Sequence, residues 1–349
     1  FLCLPGFAQA ATEDAAHDQP LCRICFGACN NQNERQSAWK QIIEMQPQLW
    51  VWLGDNVYAD AKDMDVKRRA YEKLDALEGY QQLKALCPIL ATWDDHDYAN
   101  NDAGGEYEMR AQSQQVFLDW LGVPAESPRR QRAGVYHSET FGPPGRRVQI
   151  ILLDTRYHRS ALTRRPDDQR KTRSDGPYAP TIGPAVMLGE TQWRWLAQTL
   201  RQPGEVRIIA SSIQVLADEH HWEGWHLMPR ERERLYDTIR DAGATGVIFI
   251  SGDRHHAELT MTHEPGLGYS VYDLTSSSMN KPRGDVDEPN RNRVGRYWGG
   301  MNFGVIDIDW EADDPLITLR VRNLRRENVI EKQVPLSRLQ PPPLPGEAE

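Results

Sequence analysis

The chain has 349 residues, enough to bury a large core in one α/β domain. Its formal net charge of -9 at pH 7 and its pI near 5.6 argue against binding to duplex nucleic acid or to an anionic membrane surface. Past the first few residues no apolar stretch approaches the length of a membrane span, so stable membrane insertion is not expected.

Phe1 to Phe7 is apolar and Ala8-Gln9-Ala10 has the small-x-small pattern cut by signal peptidase. Residues 1–20 therefore read as a signal-peptide remnant and linker, and the mature protein is expected in the periplasm or secreted. Cys3 would leave with the signal. An oxidising compartment permits a disulfide among Cys22, Cys25 and Cys87, with the pairing open. The Cys22-x-x-Cys25 spacing has no second pair and is weak grounds for zinc.

Leu21 to Ala28 alternates as a strand and runs out at Cys29-Asn30-Asn31. Glu34 to Met45 reads as a helix closed by Pro47. Leu49 to Leu53 is a short apolar strand that stops at Gly54-Asp55. Val66 to Ala85 is charged and helical, and Ile89 to Trp93 is a strand whose end carries Asp94-Asp95-His96-Asp97. Met109 to Leu121 is an amphipathic helix stopped by Gly122 and Pro124. Tyr136 to Phe141 and Val148 to Leu153 pair around Gly142-Pro143-Pro144-Gly145.

Arg156 to Gly183 is a polar excursion without periodicity, read as a lid or substrate loop. Glu190 to Gln202 is a helix, Val206 to Ile213 a strand, Arg230 to Ala242 a helix and Val247 to Ser251 a strand. From Tyr269 onward strands dominate, at Ser270 to Thr275, Asn302 to Trp310, Leu316 to Asn323 and Val329 to Leu336. Alternating strands and helices followed by a run of strands predict two sheets face to face with helices outside. That domain spans 21–339, and the Pro-rich stretch 340–349 reads as a disordered tail.

Four strand ends carry side chains able to bind a metal: Cys29, Asp55 with Tyr58, Asp95 with His96, and Asp253 with His255. One such end is explained by turn chemistry; four are not. Open α/β sheets gather their sites at this edge, and carboxylates crowded there unpaired cost several kcal/mol, which a cation removes. Thiolate and phenolate suit a highly charged ion such as Fe(III), whereas an all-oxygen set suits Ca²⁺ or Mg²⁺. Two unlike metals sharing Asp55 as a bridge are therefore expected.

The ordered set GDNVYAD, TWDDHDYANND, LLDTRYHR, LGETQWRWL, WEGWHLMPRERERL and SGDRHHAEL resembles the alkaline phosphatase D (PhoD-like) family of metallophosphoesterases, from about Ile24 to about Asn323. The resemblance implies a four-layer α/β/β/α sandwich and metal-dependent hydrolysis of phosphomonoesters or phosphodiesters by attack of activated water. It implies Cys29, Asp55, Tyr58 and His255 at a ferric site. Asp55, Asp95 and Asp253 would hold a second ion, Ca²⁺ or else Mg²⁺, Zn²⁺ or Mn²⁺. His96 would act as proton donor, and Arg156 would face the phosphate of a small phosphoester substrate. Asn100 and Asn101 are rival oxygen ligands. Gln214 stands where generic relatives carry a His ligand. Two neighbouring readings use the same fold: a phospholipase or phosphotriester type of hydrolase, and a secreted binding protein without catalysis.

The remaining polar residues have plainer roles. His256 points away from His255 along a strand and reads as structural. Asp94 supports its neighbours, and Asp154 reads as an acceptor holding Arg156. For His220 and His221 substrate contact and packing are balanced, and Trp222 and Trp225 are the Trp residues expected nearest the pocket. Arg129 to Arg132 and Arg164 to Arg173 read as solvated loops that can attract an anion.

Overall fold

The structure, a computed structural model, describes residues 17–170, 175–264, 266–284 and 288–342. The expected signal remnant up to residue 16, Cys3, residues 171–174 of the long excursion and residues 343–349 of the tail lie outside the described residues.

Twelve strands form two sheets of six. In the first, the order is Asn328–Pro335, Leu316–Asn323, Asn302–Asp309, Arg23–Gly27, Leu49–Leu53 and Ile89–Thr92. In the second it is Ala257–Glu264, Tyr269–Ser276, Val247–Ser251, Val206–Ser211, Val148–Leu152 and His137–Phe141. Side-chain alternation explains how these strands stack. Leu49, Val51 and Leu53 face a core shared with Ile150, Leu152, Ile208, Ile248 and Ile250 of the other sheet. Trp50 and Trp52 point to the opposite face, where they pack with Trp39, Tyr80 and Leu83 from helices Trp39–Glu44 and Glu78–Leu86. On the outer face of the second sheet, Ile151, Ile209 and Phe249 meet Trp193, Leu196, Leu235 and Ile239 of helices Glu190–Leu200 and Pro229–Asp241. The result is the expected α/β/β/α sandwich. Strands buried on both faces must be apolar throughout, which is why they read as unbroken apolar runs.

Two expected helices change form. The segment 66–85 is two helices, Met64–Asp75 and Glu78–Leu86. The break lets Tyr71 and Tyr80 reach different partners: Tyr71 stacks on Trp120 at 4.5 Å, and Tyr80 lies 5.3 Å from Trp39. Each such ring pair contributes about 0.5–1.5 kcal/mol, which outweighs the small propensity gain of one long helix. The helix expected from Glu34 begins only at Trp39, because Asn31 captures the preceding backbone: its Oδ1 accepts from Asn33 N and its carbonyl from Glu34 N.

The strand Ala257–Glu264 was not expected, and it pairs antiparallel along its whole length with Tyr269–Ser276. The long excursion also contains order, a two-residue ladder joining Thr163–Arg164 to Tyr178–Ala179. Cys22, Cys25, Cys29 and Cys87 are all free thiols, so the disulfide considered above does not form. Among the described residues no helix is long and apolar enough to cross a membrane.

The parallel pairings bring the chemistry together. Arg23–Gly27, Leu49–Leu53 and Ile89–Thr92 run parallel, as do Val148–Leu152, Val206–Ser211, Val247–Ser251 and Tyr269–Ser276. Their C-terminal ends deliver Cys29, Asp55, Asp95, Asp253 and Ser277 to one edge of the sandwich.

Candidate metal centre

Tight turns at the strand ends aim these side chains. Gly54 has φ +101°, and a Cβ there would lie 2.4 Å from Asp94 Cβ, so only glycine lets the two acidic loops touch. Gly252 likewise sits where a Cβ would meet Ala28 Cβ at 2.9 Å. Among the described residues eight non-glycine residues have positive φ, and five of them wall this site: Cys29 (56°), Asp55 (48°), Asp102 (58°), Asp253 (67°) and His255 (57°). Left-handed backbone at non-glycine residues costs free energy, and its concentration here marks a site whose geometry the fold enforces.

Three overlapping groups of donors result. Cys29, Asp55 and His255 offer ligand atoms within 4.8 Å of one another, as do Asp55, Asp95 and His96, and Asp95, Glu223 and Asp253. Asp55 and Asp95 are each shared by two groups. Tyr58 joins the first through its hydroxyl, 2.9 Å from Asp55 Oδ2 and 3.2 Å from His255 Nε2. Cys29 Sγ is 3.5 Å from Asp55 Oδ2 and 3.1 Å from Ser277 Oγ, and the same Oγ accepts from His255 N at 2.9 Å. Seven of the eight expected site residues thus converge, from four separated stretches of chain.

Burial decides their protonation. It pushes Asp55 well above the usual carboxylate range, aided by the charges of Asp95, Asp97 and Asp253. Burial and then Asp55 likewise raise the Cys29 thiol and the Tyr58 phenol. Burial pushes Asp253 up to about 7 against the lowering effect of Arg254, with Glu223 and Asp95 adding to the rise. Burial also lowers His255 to about 3, with Arg254 and His96 adding to it, so its imidazole is neutral. Asp95 differs: burial acts to raise it, but Arg156 and His96 hold it at about 2. For His96 burial acts downward, yet Asp55, the hydrogen bond to Asp60 and Asp95 lift it to about 10. A neutral imidazole beside acids that resist ionising is what a cation site looks like before a positive charge enters. Asp94 Oδ2 and Asp95 Oδ1 are buried without hydrogen-bond partners, which completes the same pattern. The donors present therefore fit bound metal: sulfur, phenol, imidazole and carboxylate at one end, carboxylates at the other.

Arg156, expected to face substrate, is the exception. Its side chain has no exposed surface, and its guanidinium lies 2.6 Å from Asp94 and 2.7 Å from Glu223. Burial requires a guanidinium to be neutralised within the protein, so this one is used up by carboxylates. Asp154 holds the Arg156 backbone N–H at 2.9 Å rather than its head group. Asp94 does support its neighbours, as expected, through a reciprocal cap with Asp97.

Asn100 and Asn101 are exposed and line a cavity of about 360 Å³ with Asp102, Tyr107, Arg164 and Tyr178, beside the buried groups. Gln214 is buried behind the site and donates to Glu258 at 2.7 Å and Thr275 at 2.9 Å. His256 is fully buried with its Nε2 3.6 Å from Glu258, in keeping with a structural role. His220 is buried with its ring 4.3 Å from that of His226, and Trp225 is core, donating to Ser211. Trp222 lies under the guanidinium groups of Arg254 and Arg283.

Asp60 and Glu223 were not anticipated. Asp60 Oδ1 is 2.7 Å from His96 Nδ1, and Glu223 pairs with Arg156 and Arg159 while closing the third donor group. Glu223 follows no strand, so the pattern that found the others passes over it. For Asp60 the available signal was a carboxylate five residues beyond Asp55 in the same loop.

Comparison with known proteins places this geometry. Alkaline phosphatase D of Bacillus subtilis (strain 168) is 22% identical over 84% of this chain, which spans 58% of that relative's length. A solved structure of PhoD overlays with a TM-score of 0.69 at 18% identity, covering 91% of this chain and 69% of that one. A dimetal phosphatase from Danio rerio overlays with a TM-score of 0.56 at 14% identity, covering 91% and 100%. These likenesses fix the fold, a metallophosphoesterase-like sandwich. The family model of the PhoD-like phosphatases matches residues 24–288, a stretch holding every donor described above, and this chain belongs to that family.

Proposed function

We propose that this chain is an exported metal-dependent phosphoesterase that hydrolyses phosphomonoesters, phosphodiesters or both. One observation carries the reading: three donor groups overlap through Asp55 and Asp95 at one sheet edge. Family membership and a fold neighbour named as a dimetal phosphatase support it. Export rests on the Ala8-Gln9-Ala10 pattern.

Cys29, Asp55, Tyr58 and His255 would hold Fe(III), and Asp55, Asp95 and Asp253 a divalent ion, Ca²⁺ or one of Mg²⁺, Zn²⁺ and Mn²⁺. Bound cations supply charge neutralisation of the phosphoryl group and activation of water. The protein's own groups do the rest. Asp60 fixes His96 through Nδ1, which leaves Nε2 as the nitrogen free to deliver a proton to the departing oxygen. Such proton transfer contributes roughly 10²–10⁴-fold. Arg156 acts as a positioning residue: with Arg159 it holds Glu223 and Asp94 where they support the carboxylate row. The left-handed turns keep the donors preorganised, so little reorganisation accompanies charge development.

The test is hydrolysis of p-nitrophenyl phosphate and bis-p-nitrophenyl phosphate by metal-loaded protein. Asp55→Ala, which removes a member of two donor groups, is expected to lower turnover of both by roughly 10³-fold or more. Full activity in that variant moves the active centre elsewhere. Loss of turnover in the parent chain with phosphate binding intact would favour a binding protein instead. Iron is tested in the same preparations: native protein should absorb in the visible, and Tyr58→Phe should bleach the band. Colourless, iron-free native protein rejects the ferric assignment.

A further inference from the structure

Positive charge around the centre is almost entirely committed to carboxylates. Arg156 is paired with Asp94 and Glu223, Arg159 with Glu223, Arg254 with Asp253 and Glu288, and Arg283 with Glu288 at 2.8 Å. Lys281 is different. Its Nζ lies 5.5 Å from the centroid of the Tyr58 ring, and it makes no ion pair or hydrogen bond with any described residue. The side chain is half-buried, so its charge has lost part of its water without gaining a counter-ion among the described residues.

Its place is fixed from both sides. Asn280 donates its backbone N–H to Cys29 O at 3.4 Å, and its side chain accepts from Asn31 N at 2.7 Å and donates to Asn31 O at 2.9 Å. Two residues beyond Lys281, Arg283 N donates to His255 O at 3.0 Å. The lysine is thus carried on a segment stitched to the loops that present Cys29 and His255. Its head group stands over the ring of Tyr58, whose hydroxyl contacts Asp55 and His255.

We propose that Lys281 binds the non-bridging oxygens of the substrate phosphate and sets the preference for doubly charged monoesters over singly charged diesters. The inference rests on the phosphoesterase reading and assigns the substrate contact that Arg156, being buried, does not make. An ammonium is a point charge without the planar fork of a guanidinium, so it responds to how much charge the phosphate carries more than to its orientation. A dianion therefore gains more from it than a monoanion does.

The experiment compares the parent chain with Lys281→Gln and Lys281→Arg at equal metal content. Binding of inorganic phosphate is measured by calorimetry, and kcat/KM for p-nitrophenyl phosphate and bis-p-nitrophenyl phosphate by steady-state kinetics. Lys281→Gln is expected to weaken phosphate binding about tenfold or more and to lower monoester kcat/KM about 10- to 100-fold, mainly through KM. The diester should lose less than about fivefold, and Lys281→Arg should restore most of both losses. Metal content and the visible spectrum should not change. Unchanged phosphate affinity in Lys281→Gln, equal losses on the two esters, or losses that follow metal release would each overturn the proposal. So would a parent chain that binds no phosphate. If the parent chain hydrolyses neither ester, the phosphoesterase reading fails, and phosphate affinity alone still decides the role of the lysine.

Discussion

At the Cys29 end of the centre, Cys29 and Asp55 are buried and Tyr58 is half-buried, with no arginine or lysine in ion-pair contact among the described residues, and desolvation drives all three toward their neutral forms. At the Glu223 end, Asp94, Asp253 and Glu223 each touch an arginine, and Arg156 helps to hold Asp95 ionised at about 2. One end is thus built to depend on an incoming cation, and the other carries much of its own countercharge. The contrast matches the donor chemistry. Sulfur and phenol oxygen become strong ligands only on losing a proton, which a metal must induce, whereas carboxylates need only be kept ionised and in place.

Exhaustive chelation offers the largest effect by which to break this comparison. Removing metal at neutral pH is expected to lower Tm by roughly 10 °C or more, because a ligand bound far above its Kd contributes several kcal/mol. The loss should be uneven. Amide hydrogen exchange should accelerate most at residues 27–31 and 54–58, and much less at 94–97 and 154–156, where internal ion pairs persist. Equal acceleration at both ends would show that the arginines do not substitute for a cation.

Arg156→Met probes the other end. Removing one partner of a fully buried ion pair strands Asp94, leaves Glu223 with Arg159 alone, and costs about 3–5 kcal/mol. Urea unfolding should register that cost in the metal-free protein as well as in the loaded one. In the loaded protein KM for a phosphoester should change little, since the guanidinium has no exposed surface from which to reach substrate. A large rise in KM at unchanged stability would return Arg156 to the role its LLDTR context first implied.

These two ends were unequally legible in the sequence. Cys29, Asp55, Asp95, Asp253 and His255 could be read because each directly follows a buried strand, and parallel strands must end on the same edge. The layering was legible for the same reason, since apolar runs such as Leu49 to Leu53 alternate between an inter-sheet face and a helix face. Glu223 was not, because it sits in a loop between Ser211 and Pro229, directly after no strand, although it stands with Asp95 and Asp253 and pairs with Arg156 and Arg159. The environment of Arg156 was hidden too: sequence shows a cation near acids, and only burial tells whether it is spent on them. Ala257–Glu264 escapes the strand pattern although Ala257, Leu259 and Met261 alternate, because it starts immediately after the His255-His256 pair with no turn residue between them. Lys281 lies after a β-strand in a segment with no apolar pattern, so nothing local ties it to Tyr58, more than two hundred residues away in the chain.

A smaller effect sharpens the contrast from outside the metal site. Glu258 is buried behind it, accepting from Gln214 at 2.7 Å and from Arg293 at 2.5 Å, with His256 Nε2 at 3.6 Å. Burial acts to raise its pKa, but His256 and Arg293 more than offset this and hold it at about 2, below the ordinary 4.5. A carboxyl whose folded pKa is depressed contributes stability that is fully present above about pH 4.5 and is lost as pH falls toward 2. The depression corresponds to a contribution on the order of 3 kcal/mol. Glu258→Gln should therefore destabilise the protein by about 2–3 kcal/mol at pH 7 in urea titrations, and the gap to the parent should narrow steadily between pH 5 and pH 3. Because this carboxylate already has its countercharge, the difference should be the same with and without metal. A gap that appears only in the metal-loaded protein would mean that Glu258 acts through the centre, and that protein countercharge and bound cation are not the separate devices the two ends imply.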